Sequence, residues 1–189
     1  MPRKITYNSP VVLTFSLVSL AALILGELTG GFITQNFFML FLTSVTDPMQ
    51  YIRLFTHVLG HADWAHYSGN ITLLLLIGPM LEEKYGSRRL LVVIIFTAVI
   101  TAFINLLLFP SMAVLGASGI VFAFILLASI TDIKKGEIPL TLIVVTIVYI
   151  GGEVLNAVFE ADSVSQLSHI IGGVVGCLFG YAFAPKKMN

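Results

Sequence analysis

One serine and four histidines are the residues of this chain best suited to chemistry. The serine is Ser118, in the stretch Gly116-Ala117-Ser118-Gly119, and the histidines are His57, His61, His66 and His169. A serine hydroxyl becomes a nucleophile when a histidine within hydrogen-bond reach takes its proton. Attack on an amide then creates an oxyanion, which needs hydrogen-bond donors. His66 and Asn70 are four residues apart, so in a helix they share a face and supply two side-chain donors. The Ser118 backbone N–H, at a helix start with its positive dipole end, is a third. Plainer readings exist for each feature. Small residues in a membrane helix allow close packing, and a single histidine is commonly a structural hydrogen bonder. His57, His61 and His66 are also spaced like metal ligands. The HExxH signature of membrane metalloproteases is absent, however. A three-histidine zinc site would also leave Ser118 and His169 unexplained, so no metal is expected.

The elements that must position these residues are read from composition. The chain has 189 residues, 57% of them hydrophobic and only 11% charged, against about 25% charged in a soluble domain. Apolar runs long enough to span a bilayer recur between short polar stretches. They are continuous rather than alternating, so the expected class is all-α, a polytopic bundle of helices and not a barrel. Six spans are expected, at roughly 10–28, 67–81, 89–109, 116–131, 138–158 and 166–184, within one membrane domain over 1–189. Nine of the ten basic residues fall in four clusters at alternating span ends: Arg3 and Lys4; Lys84, Arg88 and Arg89; Lys134 and Lys135; Lys186 and Lys187. The positive-inside rule puts these clusters, and both termini, in the cytoplasm. The segment 29–65, rich in Phe and Leu and broken by Gly30, Gly31 and Pro48, is expected to be a structured loop in the outer interface. A net charge of zero with no basic stripe argues against nucleic acid. Cys177 lies within an apolar run and has no partner cysteine.

This topology sets the depth of the polar residues. Spans two, four and six all run from outside to inside. Their outer ends carry the His66/Asn70 pair, Ser118 and His169, so three helices deliver these groups to one depth. Ionisable groups at such depths mark function by default. Gly172, Gly176 and Gly180 repeat every four residues below His169, a face that permits close backbone approach. Gly119 and Ala123 form a small-residue surface beside Ser118. If the two surfaces pack, Ser118 and His169 meet. Glu82, Glu83, Arg88 and Arg89, at the turn after the second span, are expected to pair with one another and anchor two helix ends. Glu27 and Glu153 sit near the outer ends of spans one and five.

At this point the chain resembles the rhomboid family of intramembrane serine proteases. RLFTHVLGHADWAHYSGN (53–70) is similar to the family's HxxxHxxxxHxxxN segment, with His57, His61, His66 and Asn70 in register. LEEKYGSRRL (81–90) resembles its glutamate-plus-basic motif, with Glu82 and Gly86 matching. GASG (116–119) matches GxSG through Gly116, Ser118 and Gly119. SHIIGGVVG (168–176) resembles AHxxGxxxG through His169, Gly172 and Gly176. The resemblance implies a six-helix bundle with a Ser118–His169 dyad, no third acid, and an oxyanion hole of His66, Asn70 and the Ser118 amide. It implies substrates that are single transmembrane helices, cut near their outer end, and no metal, nucleotide or other cofactor. It favours a structural role for His57 and His61, and Arg53 as a brace for the loop. Ile52 precedes Arg53 where the family often has Trp. Phe122 stands where many bacterial members stack a tyrosine on the histidine, and a phenyl ring can stack there too.

Two rivals were weighed. A rhomboid-like pseudoprotease would bind transmembrane helices without cutting them, but such proteins typically lack the serine or the histidine. A small transporter would show repeat symmetry and midplane ionisable residues, whereas here the polar residues gather toward the outer leaflet. The expected setting is a multi-pass protein of a prokaryotic plasma membrane.

Overall fold

The computed structural model describes residues 5–130, 138, 140–150 and 163–183. Glu153 and the basic clusters at Arg3/Lys4, Lys134/Lys135 and Lys186/Lys187 lie outside the described residues, as does the remainder of the expected fifth span. Within them the protein is helical, and its one β-type pairing is an isolated bridge between Leu40 and Val114.

The helices are α1 (Pro10–Leu28), α2 (Pro48–Thr56), α3 (Trp64–Tyr85), α4 (Ser87–Leu108), α5 (Ser118–Ser129), α6 (Leu140–Val145) and α7 (Ser163–Phe183). A π-helical turn over Thr146–Ile150 extends α6. Among the described residues three helices are long and apolar enough to cross a membrane: Pro10–Leu28, Ser87–Leu108 and, within α7, Gln166–Phe183. Helix α5 is as apolar but shorter, at 12 residues. Helix α3 has the length, but polar residues gather at both its ends, with His66, Ser68 and Asn70 at one and Glu82, Glu83 and Lys84 at the other.

Helix boundaries follow local chemistry. Pro10 sits in the first turn of α1, where its missing N–H costs nothing. Asp47 caps α2 by accepting from the Met49 amide at 2.9 Å. Asp63 caps α3 by accepting from the His66 amide at 2.7 Å. That cap starts α3 at Trp64, three residues before the expected start of the second span. Gly86, at φ +82°, ends α3 and turns the chain into α4. The Glu82 expectation needs correction. Glu82 is buried, and its carboxylate accepts from the Val11 and Val12 amides, both at 3.0 Å, and from the Ser87 hydroxyl at 2.7 Å. It therefore caps the start of α1 and ties down the α3–α4 turn, with main-chain amides in place of the expected arginines. The anchoring site is right; the partners differ because the first four amides of a helix need acceptors. Arg89 instead lies over the Phe183 ring, 5.5 Å from its centre.

The core centres on α5, which is apolar all round and buried from Gly119 through Leu127. Helix α7 lies against it backbone to backbone. A Cβ on Gly172 would fall on the Gly119 carbonyl, and one on Gly176 would fall on the Ala123 carbonyl. Helix α1 meets α3 where the Val12 side chain fills the space a Cβ on Gly78 would need. The Tyr67 hydroxyl also donates to the Ser16 carbonyl at 3.2 Å.

The segment between α1 and α3 is structured, with a π-helical turn (Thr34–Phe38), α2, and a 3-10 turn (His57–Leu59). Arg53 is its brace. It is buried, donates from Nε to the Asn36 carbonyl at 2.8 Å, and lies over the Phe41 ring. Its neighbour Ile52 faces outward, 44% exposed. Leu40 and Val114 exchange both amide bonds, at 3.0 and 2.9 Å, joining this segment to the one that leads into α5.

Candidate active site

Ser118 is the first residue of α5. The helix begins there because Gly116 takes φ +125°, a backbone that side-chain-bearing residues rarely adopt. The Gly116 amide donates to the His57 carbonyl at 2.9 Å, fixing the approach to the serine. In the first turn of a helix the amides have no intrahelical acceptor and carry the positive end of the dipole. The Ser118 N–H is one of them.

Helix α3 brings its early residues to this turn. A Cβ on Gly116 would lie 2.7 Å from both Cε1 and Nε2 of His66, and 3.9 Å from Nδ2 of Asn70. The imidazole and the amide thus lie over the backbone two residues before Ser118. Only glycine leaves that room. Asn70 Nδ2 is buried and meets no acceptor among the described residues. A buried unpaired donor is costly, about 1–3 kcal/mol, and is available to a developing negative charge.

Helix α7 brings His169 to the other side. Its imidazole stacks on the Phe122 ring, with centroids 4.5 Å apart and planes 3° apart. Phe122 is one helical turn after Ser118. A Cβ on Gly119 would lie 3.3 Å from the Ser168 carbonyl oxygen. Residues 168–169 therefore run alongside 118–122. His169 is the seventh residue of α7, six residues past Ser163, or about 9 Å along the helix at about 1.5 Å per residue. Ser118, His66 and His169 are all half-buried. A cavity of about 20 Å³ is lined by Ser118, Gly116, Gly119, His57, Thr101 and Ser168, among others. A larger one, about 370 Å³, is lined by Glu27, Thr34, Gln35 and His61, and Leu115 borders both.

His57 and His61 stand behind these residues. His57 donates from Nδ1 to the Arg53 carbonyl at 3.1 Å. Burial holds its pKa near 4, far below the ordinary 6.5. The structural role that the resemblance gives His61 makes little use of hydrogen bonds among the described residues. Neither of its ring nitrogens makes a well-formed one, the Leu59 backbone being a loose polar neighbour. It holds position by ring edges instead, against His66 at 5.1 Å and Tyr67 at 5.4 Å. Burial, and then the charge of His66, push its pKa down to about 4. Both rings are neutral at physiological pH.

Sequence reasoning passed over α4. Thr97, Thr101 and Asn105 form a buried polar stripe at a spacing of four, and Asn105 Nδ2 donates to the Ser168 hydroxyl at 2.8 Å. The spacing was a visible signal: three polar residues on one face of an otherwise apolar span. Among the described residues no group of three or more His, Cys, Asp or Glu is placed to hold a metal ion.

Comparison with known proteins gives the family. The Rhomboid domain family matches residues 48–186. Rhomboid protease GlpG of Haemophilus influenzae is 26% identical over 141 residues, covering 72% of each chain. Rhomboid-related protein 1 of Caenorhabditis elegans is 29% identical over 139 residues, 68% of this chain and 39% of that one. Rhomboid-like protein 11, chloroplastic, of Arabidopsis thaliana is 27% identical over 138 residues, 61% of this chain and 46% of that one. The chain thus spans less than half the length of the worm and plant relatives.

Proposed function

The chain belongs to the rhomboid family of membrane proteins, and from that premise we propose that it is an intramembrane serine endopeptidase. Ser118 is the nucleophile and His169 the general base. The observation that carries this reading is the parallel stack of His169 on Phe122 at 4.5 Å, one turn from Ser118. A ring stacked face-on keeps both nitrogens at its edge, off the face that the phenyl ring covers. The relative from Haemophilus influenzae, named a protease, supports the same activity.

In the reaction, Ser118 Oγ attacks the scissile carbonyl carbon while His169 takes the hydroxyl proton. The carbonyl becomes an oxyanion, held by the Ser118 amide, Asn70 Nδ2 and His66. The C–N bond breaks, its electron pair leaves with the nitrogen, and His169 returns the proton to that amine. Water, giving a proton to His169, then attacks the ester and releases the carboxyl product and Ser118. No cofactor enters. Proposed with this are six spans in one membrane domain, both termini cytoplasmic, and the segment 29–65 in the outer interface. The substrates are single transmembrane helices cut near their outer ends. The two cavities bordered by Leu115 support water access from that side.

The test is labelling of the detergent-solubilised protein with a fluorophosphonate probe, beside Ser118→Ala and His169→Ala. Labelling of the wild type alone is the expected result. An unlabelled but well-folded wild type would refute the protease reading and favour a helix-binding pseudoprotease.

A further inference from the structure

Helices α5 and α7 meet at the site through main chain: Gly172 over Gly119, and Gly176 over Ala123. Such a contact is close, but glycines have no side chains to resist rotation or sliding of α7. The Phe122 ring sets the plane of the His169 imidazole without offering it a hydrogen bond. A directed bond beside His169 comes from α4. Asn105 Nδ2 donates to Ser168 Oγ at 2.8 Å and to the Thr101 carbonyl at 2.8 Å. Both amide protons are used, so the α4 backbone orients the amide that grips Ser168. Thr97 and Thr101 turn their hydroxyls back onto α4, at 2.7 and 2.8 Å, and leave Asn105 to α7. Asn105 and Ser168 are 2% and 5% exposed, so water is poorly placed to substitute for the bond.

Residue 168 is therefore held from two sides. Its hydroxyl is fastened to α4, and its carbonyl rests on Gly119 of α5. The next residue on α7 is His169, and the residue before Gly119 is Ser118. We propose that Asn105 is a positioning residue for His169, acting through Ser168; this rests on the protease reading above. An imidazole roughly 6 Å from its helix axis moves about 1 Å for a rotation of only about 10°. Displacements of that size cost up to about a hundredfold in rate. The AHxxGxxxG motif that this segment resembles has alanine where Ser168 stands, so the clamp belongs to this chain and not to the motif.

The test is the kinetics of fluorophosphonate labelling of the full chain in detergent. The variants are Ser168→Ala, Ser168→Thr, Asn105→Ala and the double variant Asn105→Ala/Ser168→Ala, with thermal melting to confirm folding. Each alanine variant is expected to lose about tenfold or more in the inactivation rate constant, with probe affinity unchanged. Ser168→Thr keeps the hydroxyl and should recover most of the rate. The double variant should be no slower than the slower single one, because both remove one interaction. A wild-type rate in Ser168→Ala, or losses that multiply in the double variant, would overturn the proposal and leave Ser118 an activated serine. An unlabelled wild type would overturn the protease reading and the proposal with it. If Asn105→Ala does not fold, the Ser168→Ala and Ser168→Thr pair decides: loss with recovery supports the clamp, equal rates refute it.

Discussion

Replacing Gly172 by alanine places a methyl group where α7 and α5 touch through backbone. The new Cβ would lie 2.7 Å from the Gly119 carbonyl carbon and 2.9 Å from its Cα. Carbon atoms ordinarily rest at about 3.5–4.0 Å, so the helices must part by about 1 Å. Overpacking of this kind costs about 1–3 kcal/mol, offset by up to about 1 kcal/mol of helix propensity gained in going from glycine to alanine. The net loss of stability is thus modest, near 1 kcal/mol. Activity should suffer more. His169 is three residues from Gly172 on the same helix, and a displacement of about 1 Å at a reacting group costs up to about a hundredfold. The assay is the fluorophosphonate labelling rate per folded molecule, with folding followed by thermal melting. Gly69→Ala is the control, since nothing lies within 4 Å of its added Cβ. It should label at the wild-type rate and melt at or above the wild-type temperature. Labelling of Gly172→Ala within threefold of wild type would refute the idea that the close spacing of α7 and α5 at this contact matters for His169.

Four further outcomes are expected. Phe122→Ala removes the stack on His169 and should slow labelling about two- to tenfold, the worth of an aromatic pair, while Phe122→Tyr keeps the wild-type rate; equal rates in all three would refute a role for the stack. Asn70→Ala removes one oxyanion donor and should lower kcat on a transmembrane-helix substrate by about a hundredfold, with KM little changed; an unaltered kcat would exclude Asn70 from the oxyanion hole. Glu82→Ala leaves the Val11 and Val12 amides without their acceptor and should lower stability by about 2 kcal/mol or more, read as a lower melting temperature, while the folded fraction labels normally. The fourth concerns acid. His57 and His61 hold pKa values near 4 when folded, against about 6.5 unfolded, so the unfolded chain binds more protons between those limits. Stability should be level above about pH 6.5 and fall below it, by up to about 1.4 kcal/mol per pH unit for each histidine. Melting temperatures from pH 7 to pH 4 check this, and His61→Phe should flatten part of the slope; a flat wild-type profile would sink it.

Much of the site was legible because the membrane imposes a simple grammar. Apolar runs locate helices, and polar residues interrupting them stand out. Ser118, His66, Asn70 and His169 were visible on those terms, and the structure brings their helix turns to one place. The glycines at 172 and 176 were readable as a close-packing face, and they do meet Gly119 and Ala123. The partners of Glu82 were not legible. A carboxylate near arginines suggests ion pairs, and nothing local says that the start of α1, about 70 residues earlier, will present two amides instead. The edge contacts of His61 were hidden for the same reason. A ring can be held by hydrogen bonds or by packing, and only its neighbours decide which.

By itself the sequence determined the helical class, the residue types that can do acyl-transfer chemistry, and the start of α1 at Pro10. Those rest on hydropathy and residue chemistry, both short-range; the Asp63 cap and the φ +125° of Gly116, which set the starts of α3 at Trp64 and α5 at Ser118, came to light in the structure. Tertiary structure decided which surfaces face one another. It set Asn105 against Ser168, Phe122 flat on His169, and Glu82 under α1. The physical reason is that helices slide and rotate against each other with little change in their own hydrogen bonds. Their register is set only where side chains from distant segments interlock.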